Sequence, residues 1–276
     1  MTRRPITLLC GALAFLAVAA SASIPILDTQ SATSAGVETS SAPVPLAEPR
    51  IVASQAPFRD KFGGFDPDLW KISDGWRNGR WTANDWRRSQ AVIDDGLTMT
   101  LEAEPSKLAD YAGAEIQSRR RFGHGYFEVR MRAAKASGTV SGFFTYTGPP
   151  FGDPWNEIDV EILGRKPREV MFTYFRDGKK TEHRHTLDFD ATEGFHTYGF
   201  DWQPEHLRWY VDGDLAHEAS PAELALPNLP QKLMTSLWGS ETLTSWVGPL
   251  RQEALPTTME VACISYSKDY ASRTPC

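Results

Sequence analysis

Hydrophobic and polar residues alternate with a period of two along most of the chain. The segment GYFEVRMRA, residues 125–133, interleaves three apolar with three charged residues, and residues 97–101 alternate leucine or methionine with threonine. Successive side chains of a strand point to opposite faces, so this pattern predicts strands with one buried face. Asp-Gly pairs at 95–96 and 212–213 adjoin such runs and predict tight turns, because a type I′ hairpin needs positive φ at both central residues.

Helical periodicity is scarce by comparison. One helix is predicted at SPAELAL, where Ser220 can cap, Pro221 suits the first turn and Glu223 completes a capping box, before Pro227 ends it. Many short strands, frequent turns and few helices predict an all-β fold. The expected architecture is an antiparallel jelly-roll sandwich with a concave sheet face on which a linear polymer can lie.

The start of the chain is typical of an export signal. Residues 1–22 contain Arg3 and Arg4, then an apolar run over 5–20, and end in a small-residue cleavage sequence at Ala22. A membrane anchor is the alternative, but the apolar run is short for a bilayer, which requires about 20 residues. The sequence therefore predicts a secreted protein, extracellular or periplasmic, with no membrane attachment after cleavage.

Composition divides the rest of the chain into three stretches. Residues 23–56 are rich in serine, alanine and proline and predict a disordered leader. Residues 57–268 have the length of one sandwich domain, and residues 269–276 form a C-terminal tail. Cys263 and Cys276 are the only cysteines after the signal; in an oxidising compartment they could pair, or Cys276 could stay free as the terminal residue.

Charge narrows the choice of partners. The chain has a net charge of −6 and no basic block, so nucleic acid is not a predicted partner. No sequence feature indicates a dimer, and a monomer is expected.

The segment PWNEIDVEILG, residues 154–164, places three carboxylates on one strand face. Glu157, Asp159 and Glu161 alternate with aliphatic residues, so neighbouring carboxylates lie about 7 Å apart and repel each other. Glycoside hydrolysis with retention requires one carboxylate as nucleophile and one carboxylic acid. Asp159 could keep Glu157 ionised, and its charge could raise the proton affinity of Glu161. A charged solvent-facing strand and a calcium site are the alternatives.

His183 and His185 form an H-x-H pattern on one strand face and could be two metal ligands. No cysteine or third histidine lies close by in sequence. The prediction is therefore a solvent-facing strand, with no metal site.

The chain resembles glycoside hydrolase family 16, most of all bacterial licheninases (endo-1,3-1,4-β-glucanases) and succinoglycan-type exopolysaccharide glycanases. EIDVEILG matches the family signature E-I-D-I-E-F-L-G nearly residue for residue. Further segments look like family segments in family order: FDPDLWKISDGW (65–76), SGFFTYTGPP (141–150), GFHTYGFDWQPEHLRWYVDG (194–213) and MTSLWGS (234–240). The resemblance covers about residues 57–268. It implies a concanavalin A-like jelly roll and hydrolysis with retention of configuration.

The resemblance also implies roles for individual residues. Glu157 would be the nucleophile, Asp159 its helper and Glu161 the acid/base, while Trp155 would stack on a sugar next to the cleaved bond. The remaining implied cleft residues are Trp76, Asn78, Glu115, Trp238 and Trp246. Indole rings suit this purpose because the C–H faces of sugars pack on them. Trp202 and Trp209 are instead predicted in the core or under the cleft floor.

Several positions depart from the licheninase pattern. Gln117 stands where licheninases have an arginine, and Thr173 and Phe175 replace an asparagine and a tyrosine. These positions look like contacts to sugar hydroxyls, and a glutamine has fewer donors than a guanidinium and no charge. The family's calcium-site aspartate corresponds to Ala262, so no cofactor is predicted and a structural calcium ion stays an open question.

The sequence as a whole predicts a secreted, retaining endo-β-glucan hydrolase whose partner is a polysaccharide. The substrate would be a β-1,3-1,4-glucan or a bacterial exopolysaccharide, and the three departures slightly favour the second. A transglycosylase is one alternative, because it would share every catalytic residue. A non-catalytic lectin-like module is the other; it would keep the aromatic residues but have no use for a carboxylate pair.

Overall fold

Two antiparallel sheets make up most of the computed structural model, which describes residues 56–276. The predicted signal peptide and nearly all of the predicted leader lie outside the described residues. The strands are β1 (Phe58–Asp60), β2 (Trp70–Ile72), β3 (Asn84–Trp86), β4 (Ala91–Ile93), β5 (Leu97–Leu101), β6 (Tyr111–Phe122), β7 (Gly125–Arg132), β8 (Thr139–Thr147), β9 (Asn156–Leu163), β10 (Glu169–Arg176), β11 (Lys179–Thr186), β12 (His196–Trp202), β13 (Leu207–Val211), β14 (Asp214–Glu218), β15 (Gln231–Gly239) and β16 (Thr257–Ser267).

Each sheet has eight strands. The cleft sheet has the order β11-β10-β9-β8-β15-β6-β2, with β3 added in parallel to β6. The back sheet has the order β14-β13-β12-β7-β16-β5-β4, with β1 beside β16. Strands adjacent in space are often distant in sequence, as β7 and β16 are, which is the connectivity of a jelly-roll sandwich. The predicted all-β sandwich is confirmed.

The core lies between the two sheets and follows the alternation in the sequence. Ile158, Val160 and Ile162 of β9 are fully buried, as are Phe127 and the other inward-facing residues of β7. Burial of such side chains contributes about 1.5–3 kcal/mol each, which fixes the register of these strands. The outward face of β9 is therefore the face that carries the acids.

The Asp212–Gly213 turn confirms a hairpin that the sequence predicts. Both residues have positive φ, 48° and 88°, and the turn joins β13 to β14. Asp212 also accepts hydrogen bonds from His196 Nδ1 and from the backbone N–H of Thr197, each at 2.7 Å. The turn is thus attached to the neighbouring strand β12.

The predicted helix at Ser220 is wrong. Residues 221–224 form turns, in which the N–H of Glu223 donates to the carbonyl of Ser220 at 3.0 Å. Tyr174 and Arg176 of β10 donate to the carbonyls of Leu224 and Leu226, so tertiary hydrogen bonds attach this segment to β10. A helix of two turns has little stability of its own, so these tertiary contacts decide the conformation.

Helix is rare in the part of the chain that the structure describes. Its single α-helix is α1 (Thr244–Val247), which lies beside the cleft. None of the helices among the described residues is both long and apolar enough to cross a bilayer.

His183 and His185 do not face solvent, contrary to the prediction. The ring of His183 stacks on His217 of β14 with centroids 3.9 Å apart, and His185 stacks on Phe172 at 6.0 Å. Both histidines occupy the inward side of β11, where the edges of the two sheets approach each other. Within residues 56–276, no group of three or more potential ligands could hold a metal ion.

The C-terminal tail is held against the back sheet. Cys263 and Cys276 form a disulfide, and the N–H of Cys276 donates to the Glu128 carboxylate at 2.6 Å. The Tyr270 ring stacks on Tyr210 of β13, with centroids 4.0 Å apart. The pairing that the sequence left open is thus present, and it closes a loop with a sequence separation of 13 residues.

We expect Cys276→Ser to lower the free energy of unfolding by about 3 kcal/mol, because a loop of this size is freed in the unfolded chain. Denaturant unfolding, with and without a reductant, measures the effect. Reduced wild type should match the variant. Identical unfolding curves for oxidised wild type and Cys276→Ser would show that the disulfide does not stabilise the fold.

Candidate active site

A cleft of about 1060 Å³ runs over the outward face of the cleft sheet. Every residue that the sequence singles out for catalysis or substrate binding lines it: Trp76, Asn78, Glu115, Gln117, Trp155, Glu157, Asp159, Glu161, Thr173, Phe175, Trp238 and Trp246. These residues come from β6, β9, β10, β15 and the segments around them. The structure therefore brings together positions that are up to 170 residues apart in sequence.

The three carboxylates of β9 lie side by side on the cleft floor. Strand geometry separates the Cα atoms of Glu157 and Glu161 by about 13 Å, with Asp159 between them. The charge of Glu161 nevertheless raises the pKa of Glu157, so the two carboxyl groups interact across the cleft. A hydrogen bond joins Asp159 to Glu157.

Glu157 accepts two hydrogen bonds. Trp155 Nε1 donates to its Oε2 at 2.5 Å, and Asp159 supplies a second bond. An indole N–H is only a donor, so both bonds favour the ionised form of Glu157. The Trp155 ring is held in place by Phe175, on which it stacks with centroids 4.4 Å apart and planes 11° apart.

Asp159 is the most enclosed of the three, with 5% of its surface exposed. Burial, then the charges of Glu157 and Glu161, raise the pKa of Asp159 well above its usual range. The hydrogen bond with Glu157 raises the pKa of Asp159 further and lowers that of Glu157, as expected when Asp159 is the donor. From the core side, Trp209 Nε1 donates to the Asp159 carbonyl at 3.1 Å and fixes the strand beneath it.

The pKa of Glu161 is raised to about 7, chiefly by burial. The Lys180 charge lowers this pKa and the Glu182 charge raises it, so Glu182 takes the part that the sequence assigned to Asp159. Burial raises the pKa of Glu157 further, to about 8. The hydrogen bonds from Trp155 and Asp159 both lower the pKa of Glu157, whereas Glu161 receives neither of them.

Glu115 of β6 forms a second polar group on the floor. Ser73 Oγ donates to its Oε1 at 2.6 Å, and Gln117 Nε2 donates to Ser73 Oγ at 3.0 Å. Gln117 Nε2 also lies 3.4 Å from Glu115 Oε1. Burial raises the pKa of Glu115 to about 7, although the bonds that it accepts from Ser73 and Gln117 lower it. Gln117 thus supports a neighbouring acid, where an arginine would add a charge.

Replacing Glu115 with glutamine should make stability less sensitive to alkaline pH. The pKa of Glu115 is higher in the folded protein than its unfolded value of 4.5, so protonated Glu115 stabilises the fold. This contribution is complete below pH 4.5 and is lost as pH rises through about 7. The move from 4.5 to about 7 corresponds to on the order of 3 kcal/mol. Denaturant unfolding at pH 5 and pH 9 should show that Glu115→Gln loses less stability between them than wild type. Parallel losses would contradict this.

Trp202, Trp209 and Trp155 lie as the sequence predicts, whereas Trp246, predicted as an exposed stacking residue like Trp155, is partly buried. Trp202 and Trp209 are 1% exposed and lie in the core, whereas Trp155 is 40% exposed in the cleft. Trp238 lies in the floor with Trp246 beside it, ring centroids 5.9 Å apart, and Trp246 Nε1 contacts the Met171 sulfur at 3.1 Å. Trp246 is partly buried and is therefore less open to a ligand than Trp155.

Sequence reasoning missed several residues of the cleft. Trp81 is 41% exposed and meets Trp238 edge to face, with centroids 5.1 Å apart. Tyr146 is opposite Glu157 in the β8–β9 register, and burial with the Glu157 charge raises the pKa of Tyr146 to about 12, so its hydroxyl stays a donor. Lys180 and Glu182 of β11 also line the cleft. Only Trp81, an aromatic residue among polar neighbours, had a signal in the sequence.

Comparison with known proteins supports the geometry. The family model for glycosyl hydrolases family 16 matches residues 78–254. The chain is 39% identical over 209 residues to a beta-glucanase of Acetivibrio thermocellus, covering 75% of this chain and 61% of that protein. It is 38% identical over 213 residues to the endo-1,3-1,4-beta-glycanase ExoK of Rhizobium meliloti, covering 76% and 78%. The chain thus spans only about three fifths of the length of the Acetivibrio relative.

A solved structure agrees with the fold. The beta-1,3-1,4-glucanase (lichenase) derived from a mouse hindgut metagenome superimposes with a TM-score of 0.74 at 36% identity. The match covers 78% of this chain and 100% of that chain.

Proposed function

The chain belongs to glycoside hydrolase family 16, and from this premise we propose that it cleaves internal β-glycosidic bonds of a polysaccharide with retention of configuration. The observation that carries the proposal is the row of three acids on one face of β9, on the floor of an open, aromatic-lined cleft. An open cleft suits a chain that extends beyond the site at both ends. A lectin-like module would have no use for acids that burial keeps partly protonated.

The proposed reaction is a double displacement. Glu161 gives its proton to the leaving glycosidic oxygen while the Glu157 carboxylate attacks the anomeric carbon, forming a glycosyl-enzyme. Glu161 then takes a proton from water while the water oxygen attacks the anomeric carbon. The bond between the sugar and Glu157 breaks, and the second inversion restores the starting configuration. The hydrogen bond from Asp159 favours the ionised form of Glu157, and Trp155 both donates to Glu157 and offers its ring to a sugar.

We propose a β-glucan or a β-linked bacterial exopolysaccharide as the substrate class. Two names support this: beta-glucanase for the Acetivibrio relative and endo-1,3-1,4-beta-glycanase for the Rhizobium relative. Thr173 and Phe175 reduce the polar groups available near the cleaved bond and place an aromatic wall there. The predicted signal over residues 1–22 supports secretion as part of the proposal.

The test is incubation of the purified protein with mixed-linkage barley glucan, laminarin, xyloglucan, agar and a succinoglycan-type polymer. Viscosity should fall well before reducing ends accumulate, as internal cleavage requires, and proton NMR should show the β-anomer as the first product. An α-anomer first would refute retention. If no polymer is shortened, the hydrolase proposal is wrong; products longer than the substrate at high acceptor concentration would identify a transglycosylase.

A further inference from the structure

An ion pair on the edge strand β11 lies in the same cleft as the three acids of β9. Lys180 Nζ lies 2.8 Å from Glu182 Oε2, and both residues line the cleft. They are two positions apart on one strand and therefore point to the same side. Neither belongs to the set that the proposed reaction uses.

Strand register places the pair unequally with respect to the three acids. Lys180 is opposite Phe175, which is opposite Glu157 on the far side. Phe175 stacks on Trp155, so an apolar wall stands between the ammonium group and the nucleophile. The stacked rings of Phe175 and Trp155 therefore separate the Lys180 ammonium group from the Glu157 carboxylate.

The neighbouring row is open. Glu182 is opposite Thr173, which is opposite Asp159. Threonine is small, and the ion pair draws the Lys180 ammonium along β11 towards this row. The charge of Lys180 therefore acts on Asp159 and Glu161, and the charge of Glu182 acts on Glu161.

On its own strand Glu161 has Asp159 and Glu157 as charged neighbours. The residues opposite it on β8 and β10, Gly142 and Met171, carry no charge. Arg184 of β11 is opposite Met171 but does not line the cleft. Two other cations line the cleft, but each is engaged elsewhere. Lys71 acts on Glu115, and the Arg77 guanidinium donates to three backbone carbonyls.

We propose that Lys180 and Glu182 form a positioning pair that sets the pH range over which Glu161 works as acid and base. The inference rests on the proposed function for its kinetic consequence. The two charges oppose each other at Glu161, so neutralising either one alone should move that range, in opposite directions.

The signs follow from the charges. Lys180→Gln removes a positive charge, so Glu161 keeps its proton to higher pH, and the limb of the kcat/KM profile that Glu161 governs moves up. Glu182→Gln removes a negative charge and moves this limb down. Because both groups are about half exposed, each shift should be about 0.3–0.5 of a pH unit at low salt and smaller in 0.5 M NaCl. The double variant should lie between the two single variants.

Lys179→Gln is the matched control. Lys179 is the preceding residue, is exposed, carries the same charge and does not line the cleft. Its substitution changes the net charge as Lys180→Gln does, and it should leave the pH profile of barley glucan hydrolysis unchanged.

A second readout needs no substrate. Carbon-13 NMR of protein labelled at the glutamate carboxyls follows the titration of Glu161, whose signal is assigned by its loss in Glu161→Gln. Opposite shifts in Lys180→Gln and Glu182→Gln support the pair even if wild type hydrolyses no glucan, in which case only the proposed function fails. Shifts of the same sign, no shift, or an equal shift in Lys179→Gln would overturn the inference.

Discussion

Glu157→Gln should abolish glucan hydrolysis while the protein stays folded. Glutamine has nearly the shape of glutamate, but it cannot form the glycosyl-enzyme, so the double displacement stops at its first step. We expect kcat/KM on barley glucan to fall by at least about 10⁴-fold, the size of effect seen when a nucleophile is removed. Turnover is measured by reducing-end release, at protein concentrations high enough to detect the residual rate.

Folding is tested separately from activity. Ile158 and Val160, the core-facing neighbours of Glu157, are fully buried and unaffected by the substitution, so near-UV circular dichroism should match that of wild type. The loss of a buried acid should also reduce the drop in stability at alkaline pH, because burial raises the pKa of Glu157. Glu193→Gln, at an exposed site outside the cleft, controls for the chemistry of the change and should keep full activity. Near-normal turnover in Glu157→Gln would remove Glu157 as nucleophile.

The parts of the site that alternation controls could be predicted from the sequence. A strand has two faces, so three aliphatic residues that must be buried send Glu157, Asp159 and Glu161 to the opposite face without further information. The hairpin at Asp212–Gly213 follows from the same local logic. These predictions need only a strand and one apolar face, and the structure confirms their geometry.

Features that depend on which strands become neighbours could not be predicted. Lys180 and Glu182 read as ordinary surface charges on an alternating strand, and only the position of β11 beside β10 brings them over the acids. His183 faces the edge of the other sheet because β11 and β14 close the sandwich there. The conformation of the segment after Ser220 also depends on its neighbours, since Tyr174 and Arg176 of β10 donate to the carbonyls of Leu224 and Leu226.

Electrostatic causes were also beyond the sequence. Adjacency along β9 suggested that Asp159 raises the proton affinity of Glu161. Burial is the main cause of the raised pKa of Glu161, the Glu182 charge raises it as well, and the Lys180 charge lowers it. Burial depends on the whole cleft, and charges two strands away, those of Lys180 and Glu182, also act on Glu161. Spacing along one strand therefore identifies the acids but not what sets their protonation.

Glu161→Gln should lose polymer hydrolysis but keep the cleavage of a substrate whose leaving group needs no proton. General acid catalysis contributes about 10²–10⁴-fold, so kcat/KM on barley glucan should fall within that range. In a β-glucan oligosaccharide bearing 2,4-dinitrophenol, the leaving group is dinitrophenolate, a stable anion that needs no proton to depart. In Glu161→Gln, Glu157 can still attack this substrate, because its hydrogen bonds from Trp155 and Asp159 are intact. A burst of dinitrophenol should therefore precede a slow steady state.

The slow steady state tests the second role of the same residue. Water attacks the glycosyl-enzyme only when a base takes its proton, and glutamine cannot do so. Azide needs no deprotonation; it should restore turnover of the dinitrophenyl substrate in Glu161→Gln and give a β-glycosyl azide, as attack on an α-linked intermediate requires. Glu157→Gln, which forms no intermediate with its own side chain, should gain no β-azide product under these conditions. Azide rescue that yields β-product in the Glu157 variant and not in the Glu161 variant would mean that the two roles have been assigned the wrong way round.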